Sequence, residues 1–330
     1  MKYHFIINPV SGRQDSSKIL IPAIHQALKI CGIQEQDVQI TLTSRPQEAR
    51  TLSEQAAQHA AHIGEMIRIF AAGGDGTFNE VLTGAMPYPN AAVGLLPYGS
   101  GNDFLRSFGT RNEFLNLKEQ LQGDVVSIDT IRTQRGYAAC ICSAGLDAKV
   151  AYGIPKYRHL PFCGGGMAYK LSILECLMGK RSSRMSIHID GHVFERNCLL
   201  AAVCNGRAYG GGFIAAPESK LDDGVLDVLI VKDMPLLKIA KVLPLYQSGK
   251  HFNNGQVIPE LQDLVEYFPA HRVTIQCADQ AQDMIVNIDG ECAPDKCLSA
   301  EIMPLSAKIL LPKSVYERYV QKSSSKQHSA

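Results

Sequence analysis

A chain of 330 residues is long enough for two domains, and 33 Lys and Arg against 32 Asp and Glu leave no basic excess of the kind that marks a nucleic-acid binder. No apolar run approaches a membrane span, and the start, Met1-Lys2-Tyr3-His4-Phe5-Ile6-Ile7-Asn8-Pro9, is too briefly apolar for a signal peptide. The ten cysteines form no C-x-x-C pair, and Cys140, Cys142, Cys198 and Cys204 lie inside apolar strands, as suits buried thiols in a reducing cytoplasm.

Residues 1–126 alternate strand and helix patterns. Strands are predicted at Tyr3–Ile7, Val38–Leu42, Ile67–Ala71 and Ala92–Leu96, and helices at about Lys18–Cys31 and Pro46–Ile63, from Phe78 to Met86 and at Phe104–Phe108. Alternating β and α units imply an α/β domain with a parallel sheet, whose ligands bind beyond the carboxyl ends of its strands. Three loops marked by glycine or proline, 8–12, 73–79 and 97–103, follow strands and are expected to converge on one site.

From about residue 127 to 312 short strands dominate, predicted at 126–133, 138–143, 185–189, 198–205, 226–231, 272–276 and 284–289. Asp190-Gly191, Asp223-Gly224 and Asp289-Gly290 punctuate them as hairpin marks. This half reads as an antiparallel β-sandwich or barrel, with helical inserts near Gly166–Met178 and Leu236–Lys250. Residues 313–330 read as a terminal helix at Ser314–Gln321 with a frayed tail, expected to pack back on the first domain. Two basic clusters, Lys156-Tyr157-Arg158-His159 and Lys180-Arg181-Ser182-Ser183-Arg184, suit either a solvated face or a membrane surface.

The string Ala72-Gly73-Gly74-Asp75-Gly76-Thr77-Phe78-Asn79-Glu80 carries the most chemistry. Its glycines let the backbone approach a ligand, and the helix start that follows favours an anion. Asp75 would repel phosphate unless a metal ion or a transferable proton intervened, which points to a magnesium-nucleotide and phosphoryl transfer. Neither the Walker A spacing nor the dinucleotide fingerprint is present.

Taken with this loop, other strings in order resemble the soluble bacterial diacylglycerol kinase and lipid kinase family, related to sphingosine and ceramide kinases. They are Asn8-Pro9-x-Ser11-Gly12, Leu96-Pro97-x-Gly99-Ser100-x-Asn102-Asp103-Phe104, Asn205-Gly206 with Gly210-Gly211-Gly212 and Ala216-Pro217, Leu221-Asp222-Asp223-Gly224-x-Leu226, and Asp289-Gly290-Glu291. Ser100 stands where the family usually has threonine, and the Cys163-Gly164-Gly165-Gly166 insert has no assigned role.

The resemblance implies a two-domain lipid kinase. Its ATP phosphates rest on the first domain, near Asn8, Pro9, Ser11, Gly12, Thr43, Gly73, Gly74, Asp75, Gly76, Thr77, Asn79, Gly99 and Ser100. Asn8 and Asn79 suit phosphate binding or loop locking equally, and Thr43 is by itself merely a strand-end threonine. Asp75 and Asp103 would face the catalytic magnesium, although Asp103 could equally cap the following helix. Glu291 would be the general base, where residues alone read a hairpin turn with a solvated glutamate. Asp222 and Asp223 read as a hairpin turn or a catalytic metal site. The family implies instead a structural magnesium on Asp223 with the carbonyls of Lys220 and Val225.

The expected activity is transfer of the ATP γ-phosphoryl to a lipid hydroxyl, diacylglycerol giving phosphatidic acid. The acceptor would be met at a membrane surface by a cytoplasmic protein peripheral to it. A homodimer is left open as the assembly. A kinase for a soluble, NAD-like alcohol and a non-catalytic nucleotide-binding regulator are the competing readings.

Overall fold

A computed structural model of the chain describes residues 1–12, 15–99, 101–158, 165–179, 181–210, 212–279 and 281–327. Ser100, His159, Cys163, Gly164, Lys180 and Gly211, which figure in the strings above, lie outside the described residues. The chain divides into two units, one of Met1–Ile128 with Leu305–Ala330 and one of Asp129–Pro304.

The first unit begins β1 (Lys2–Ile7), α1 (Ser17–Cys31), β2 (Val38–Leu42), α2 (Glu48–His62), β3 (Ile67–Gly73), α3 (Asp75–Ala85), β4 (Ala91–Pro97), α4 (Arg111–Phe114) and α5 (Leu117–Leu121). β1 pairs in parallel with β2 and β3, and β3 with β4. The carboxyl ends of β1, β3 and β4 therefore share one edge, and the three expected loops leave from it. A single 3₁₀ turn at Phe104–Ser107 replaces the helix expected there. Phe5 and Phe70 stack at 4.5 Å in a core with Leu20, Ile24, Leu28 and Leu96.

The chain continues through β5 (Asp124–Thr133), β6 (Gly136–Ala138), β7 (Ile141–Gly145), α6 (Leu146–Arg158), α7 (Gly165–Met178), β8 (Ser183–Ile189), β9 (His192–Cys204), β10 (Leu226–Lys232) and α8 (Leu236–Gln247). The short β11 (Phe252–Asn253) and β12 (Gln256–Val257) form a hairpin, followed by β13 (Val265–Ala270), β14 (Arg272–Cys277), β15 (Met284–Ile288), β16 (Glu291–Asp295), β17 (Cys297–Leu311) and α9 (Lys313–Gln327). Pairings within the second unit are antiparallel. The first half of β9 pairs with β8 and its second half with β7 and β10, so one long strand serves two layers of a sandwich. The inward faces meet in a core that includes Ile187, Val203, Val228, Ile275, Val286 and Leu298. Nine of the cysteines are described, and all nine are free thiols.

Two of the three Asp-Gly marks close two-residue hairpins. Asp190-Gly191 joins β8 to β9, with φ of 45° and 91°, and Asp289-Gly290 joins β15 to β16, with φ of 45° and 93°. Asp223-Gly224 closes none. It ends the loop before β10, only Gly224 takes a positive φ (72°), and the buried Asp129 carboxylate pins that loop by accepting the Gly224 N–H at 2.7 Å.

Candidate active-site residues in each unit

In the first unit the predicted loops are tied to one another by direct hydrogen bonds. The Asn8 N–H bonds the Ala72 carbonyl at 2.9 Å, and the Asn8 side chain donates to the Thr77 hydroxyl at 3.1 Å. The Gly99 N–H bonds the Gly73 carbonyl at 2.8 Å. A Cβ on Gly99 would stand 2.3 Å from the Gly74 Cα, so only glycine allows the two loops to approach. Gly12 follows Pro9 and Ser11 in the first loop and lies against the Tyr98 carbonyl. The Thr43 N–H reaches the Ile7 carbonyl at 2.9 Å, which sets Thr43 beside the same strand end.

Asp75 opens α3 and has a task that the loop string does not reveal. Its carboxylate accepts the Asn102 N–H at 2.5 Å and the Asp103 N–H at 2.9 Å. Two acceptor sites of the carboxylate are thus spent on holding loop 101–103. Gly76 and Thr77 lie in the first turn of the same helix, where backbone N–H groups lack intrahelical partners and the dipole favours an anion, and Asn79 follows in the next turn. Glu80, one residue on, accepts the N–H groups of Gln47 at 3.0 Å and Ala49 at 3.2 Å and so fixes the start of α2. Asp103 makes no side-chain cap. It accepts instead from Arg106 Nε at 3.0 Å.

In the second unit, Glu291 is the first residue of β16, opposite Ile288, and is exposed. Its hairpin is anchored by its neighbour. The Asp289 carboxylate accepts the N–H groups of Ala139 at 2.5 Å, Ile141 at 2.8 Å and Cys140 at 3.0 Å, and the Asn287 side chain accepts the Gly290 N–H at 2.8 Å. The tripeptide is therefore both a tight turn and a rigid mount for a glutamate. Burial pushes the adjacent Cys292 thiol up to about 12, with Asp147 and Glu291 adding to the shift, so it is no nucleophile at neutral pH.

Asp147, in the first turn of α6, escaped the sequence reading. Both its oxygens are withdrawn from solvent, and burial raises its carboxyl above the ordinary range. The hydroxyls of Ser143 and Tyr209 and the Ala148 N–H favour its charged form, yet none closes a well-formed hydrogen bond on either oxygen. An acid directly after the largely apolar run Ile141–Leu146 was the signal available.

Asp223 lies in a separate loop with Lys220 and Val225. Its carboxylate accepts the Val225 N–H at 3.3 Å. Partial desolvation raises its pKa first, and Asp227 and Asp129 push the same way against Lys220. Among the described residues no three His, Cys, Asp or Glu side chains come together as a metal cage.

A parallel-sheet domain with glycine loops at its strand ends, followed by a β-sandwich with an anchored acidic hairpin, defines a two-domain kinase of the lipid and NAD type. Residues 2–133 match the family model of the diacylglycerol kinase catalytic domain, and residues 140–311 match that of the YegS C-terminal NAD kinase beta sandwich-like domain. A diacylglycerol kinase of Bacillus subtilis (strain 168) is 30% identical over 289 residues, covering 87% of this chain and 88% of the relative. A Shewanella frigidimarina protein named "Probable lipid kinase YegS-like" is 27% identical over 250 residues, 74% of this chain and 76% of that protein. The crystal structure of a diacylglycerol kinase from Bacillus anthracis str. Sterne shares the fold, with a TM-score of 0.65 at 20% identity over 95% of this chain and 98% of that one. The chain belongs to the diacylglycerol kinase family of lipid kinases, phosphotransferases that act on a lipid alcohol.

Proposed function

We propose that the protein transfers the γ-phosphoryl group of ATP to a lipid hydroxyl, with diacylglycerol as the acceptor and phosphatidic acid as the product. The observation that carries this reading is the set of bonds by which Asp75, the Gly73–Gly99 contact and Asn8 hold three strand-end loops around one helix start. Backbone N–H groups of Gly73, Gly74 and Gly76 and the hydroxyls of Thr77 and Ser100 bind phosphate oxygens, with Asn8 and Asn79 bracing the loops. Magnesium suits this donor set, because it needs few protein ligands and Asp75 places a carboxylate among the phosphate-binding N–H groups at the start of α3. When bound, the ion neutralises charge on the phosphate oxygens. Asp75 and Asp103 would hold it, directly or through water.

Glu291 takes the proton of the acceptor hydroxyl as that oxygen attacks the γ-phosphorus, and ADP leaves from the other side. Asp223, with the Lys220 and Val225 carbonyls, would hold a second magnesium, whose charge would offset the acidic surroundings of that loop. The test is transfer from γ-labelled ATP to a panel of defined lipids. Label in phosphatidic acid supports the reading. Label in another lipid corrects the acceptor, and label only in a soluble alcohol such as NAD contradicts it.

A further inference from the structure

Asp147 is an acid that the second unit buries and leaves without a partner. It follows β7 in the first turn of α6, and both its oxygens are withdrawn from solvent with no hydrogen bond among the described residues. No Lys, Arg or His among them pairs with it. The polar groups nearby are engaged elsewhere. The hydroxyls of Tyr209 and Tyr246 meet at 3.3 Å, and the Asn287 side chain donates to the Ser143 hydroxyl at 3.4 Å.

The surroundings bring no counter-charge. Tyr209, Tyr246 on α8, Cys204 at the end of β9 and Cys292 on β16 hold their protons chiefly because they are buried, and Asp147 adds to the effect on each, so all four lie within electrostatic reach of its carboxyl. Arg135, which also acts on Cys292, is paired with Asp295 at 3.1 Å. A carboxylate in such a place is costly, and the group relieves the cost by keeping its proton. A neutral carboxyl is a hydrogen-bond donor as well as an acceptor.

The place of Asp147 in the fold says what that donor is for. α6 packs against β7, β15 and β16, and β16 begins with Glu291. Ser143, Asn287 and Cys292 stand opposite one another across these three strands, and Glu291 and Asp147 both act on the Cys292 thiol. A diacylglycerol head carries one hydroxyl, which a general base takes, and two ester carbonyls, which can only accept.

We propose that Asp147 is a recognition group for the acceptor lipid, its protonated carboxyl donating to the ester carbonyl beside the reacting hydroxyl, so that an ester is chosen over an ether of the same shape. This role rests on the lipid-acceptor reading and adds a specificity residue to it. The competing role is structural, an acid kept at the start of α6 for the helix dipole.

The test sets two water-soluble acceptors, dihexanoylglycerol and its diether counterpart dihexylglycerol, against the full-length parent, Asp147→Leu and Asp147→Asn. The parent should show a KM about tenfold lower for the ester, the worth of one hydrogen bond. Asp147→Leu should lose that preference by raising KM for the ester alone, with kcat within about twofold of the parent. Asp147→Asn keeps a donor and should retain the preference. Without lipid, Asp147→Leu should melt above the parent, because an apolar side chain replaces an unpartnered buried acid. A lower melting temperature or failure of Asp147→Leu to fold would mark the structural role and overturn the proposal. So would equal losses on ester and ether, or an Asp147→Asn variant as impaired as Asp147→Leu. A parent that turns over both acceptors without preference overturns this inference alone, whereas a parent that phosphorylates neither removes the lipid-acceptor reading and this inference with it.

Discussion

On the proposed reading, the two units build their chemistry in opposite ways. In the first, the backbone is the reagent, and side chains keep it in place. Gly99 is small because two loops touch there, Gly73 because Thr77 packs on it, and Asp75 spends two acceptor sites on the N–H groups of Asn102 and Asp103. In the second, the backbone is the mount, and a side chain is the reagent. Asp289 gathers three N–H groups so that the turn behind it is rigid, and Glu291 is left exposed at the strand start. Substitutions in the first unit should therefore damage structure and activity together, and in the second the two should separate residue by residue.

Asp75→Asn is the most severe test. The amide keeps one acceptor oxygen and turns an NH₂ toward a backbone N–H, so loop 101–103 loses a bond as the site loses charge. Transfer should fall by roughly 10³ or more, and the first unit should lose about 1–3 kcal/mol in denaturant unfolding. A stable, nearly active variant would break the claim that structure and chemistry share this carboxylate. Asp289→Ala comes next. Three N–H groups of residues 139–141 lose their carboxylate, and the second unit should lose about 3 kcal/mol. ATP binding by the protein that remains folded should be unchanged, as measured by calorimetry.

The buried His4 sharpens the comparison through pH. Burial lowers its pKa from 6.5 to about 4, its Nε2 lies 2.9 Å from the Thr41 hydroxyl, and its Nδ1 has no hydrogen-bond partner among the described residues. The unfolded chain binds a proton there below about pH 6.5 that the folded one refuses, so stability falls as pH drops from 6.5 toward 4, by up to about 3 kcal/mol. His4→Gln should flatten that slope, as read from denaturant midpoints at each pH. Asp223→Ala is the mildest. Added magnesium should raise the melting temperature of the parent by the equivalent of about 1–2 kcal/mol and leave the variant's unmoved. Equal responses would remove the metal from that loop.

The same contrast explains what was legible. The glycine strings of the first unit could be read because close backbone approach demands glycine, and their convergence follows from the parallel order of β1, β3 and β4. The second task of Asp75 could not be read, because its partners are backbone N–H groups 27 and 28 residues away. In the second unit, Gly153 and Pro155 disguised α6, which the chain nevertheless forms against α7. Pro304 and Leu305, the latter at positive φ, fall within β17, and Pro269 falls within β13, which among the described residues pairs with β10, so both strands lacked a clean period-2 signal. Asp129 is a buried acid inside β5 whose purpose appears only when loop 221–224 folds over it.

The claim that Glu291 is a reagent on a rigid mount is tested most directly by single-turnover transfer to a diacylglycerol at saturating ATP, comparing Glu291→Gln with the parent. The amide keeps size and hydrogen bonding but cannot take the acceptor's proton. The transfer rate should drop by roughly 10²–10⁴, with ATP affinity and melting temperature unchanged. A rate within a few-fold of the parent would return Glu291 to a solvated turn residue and contradict the account.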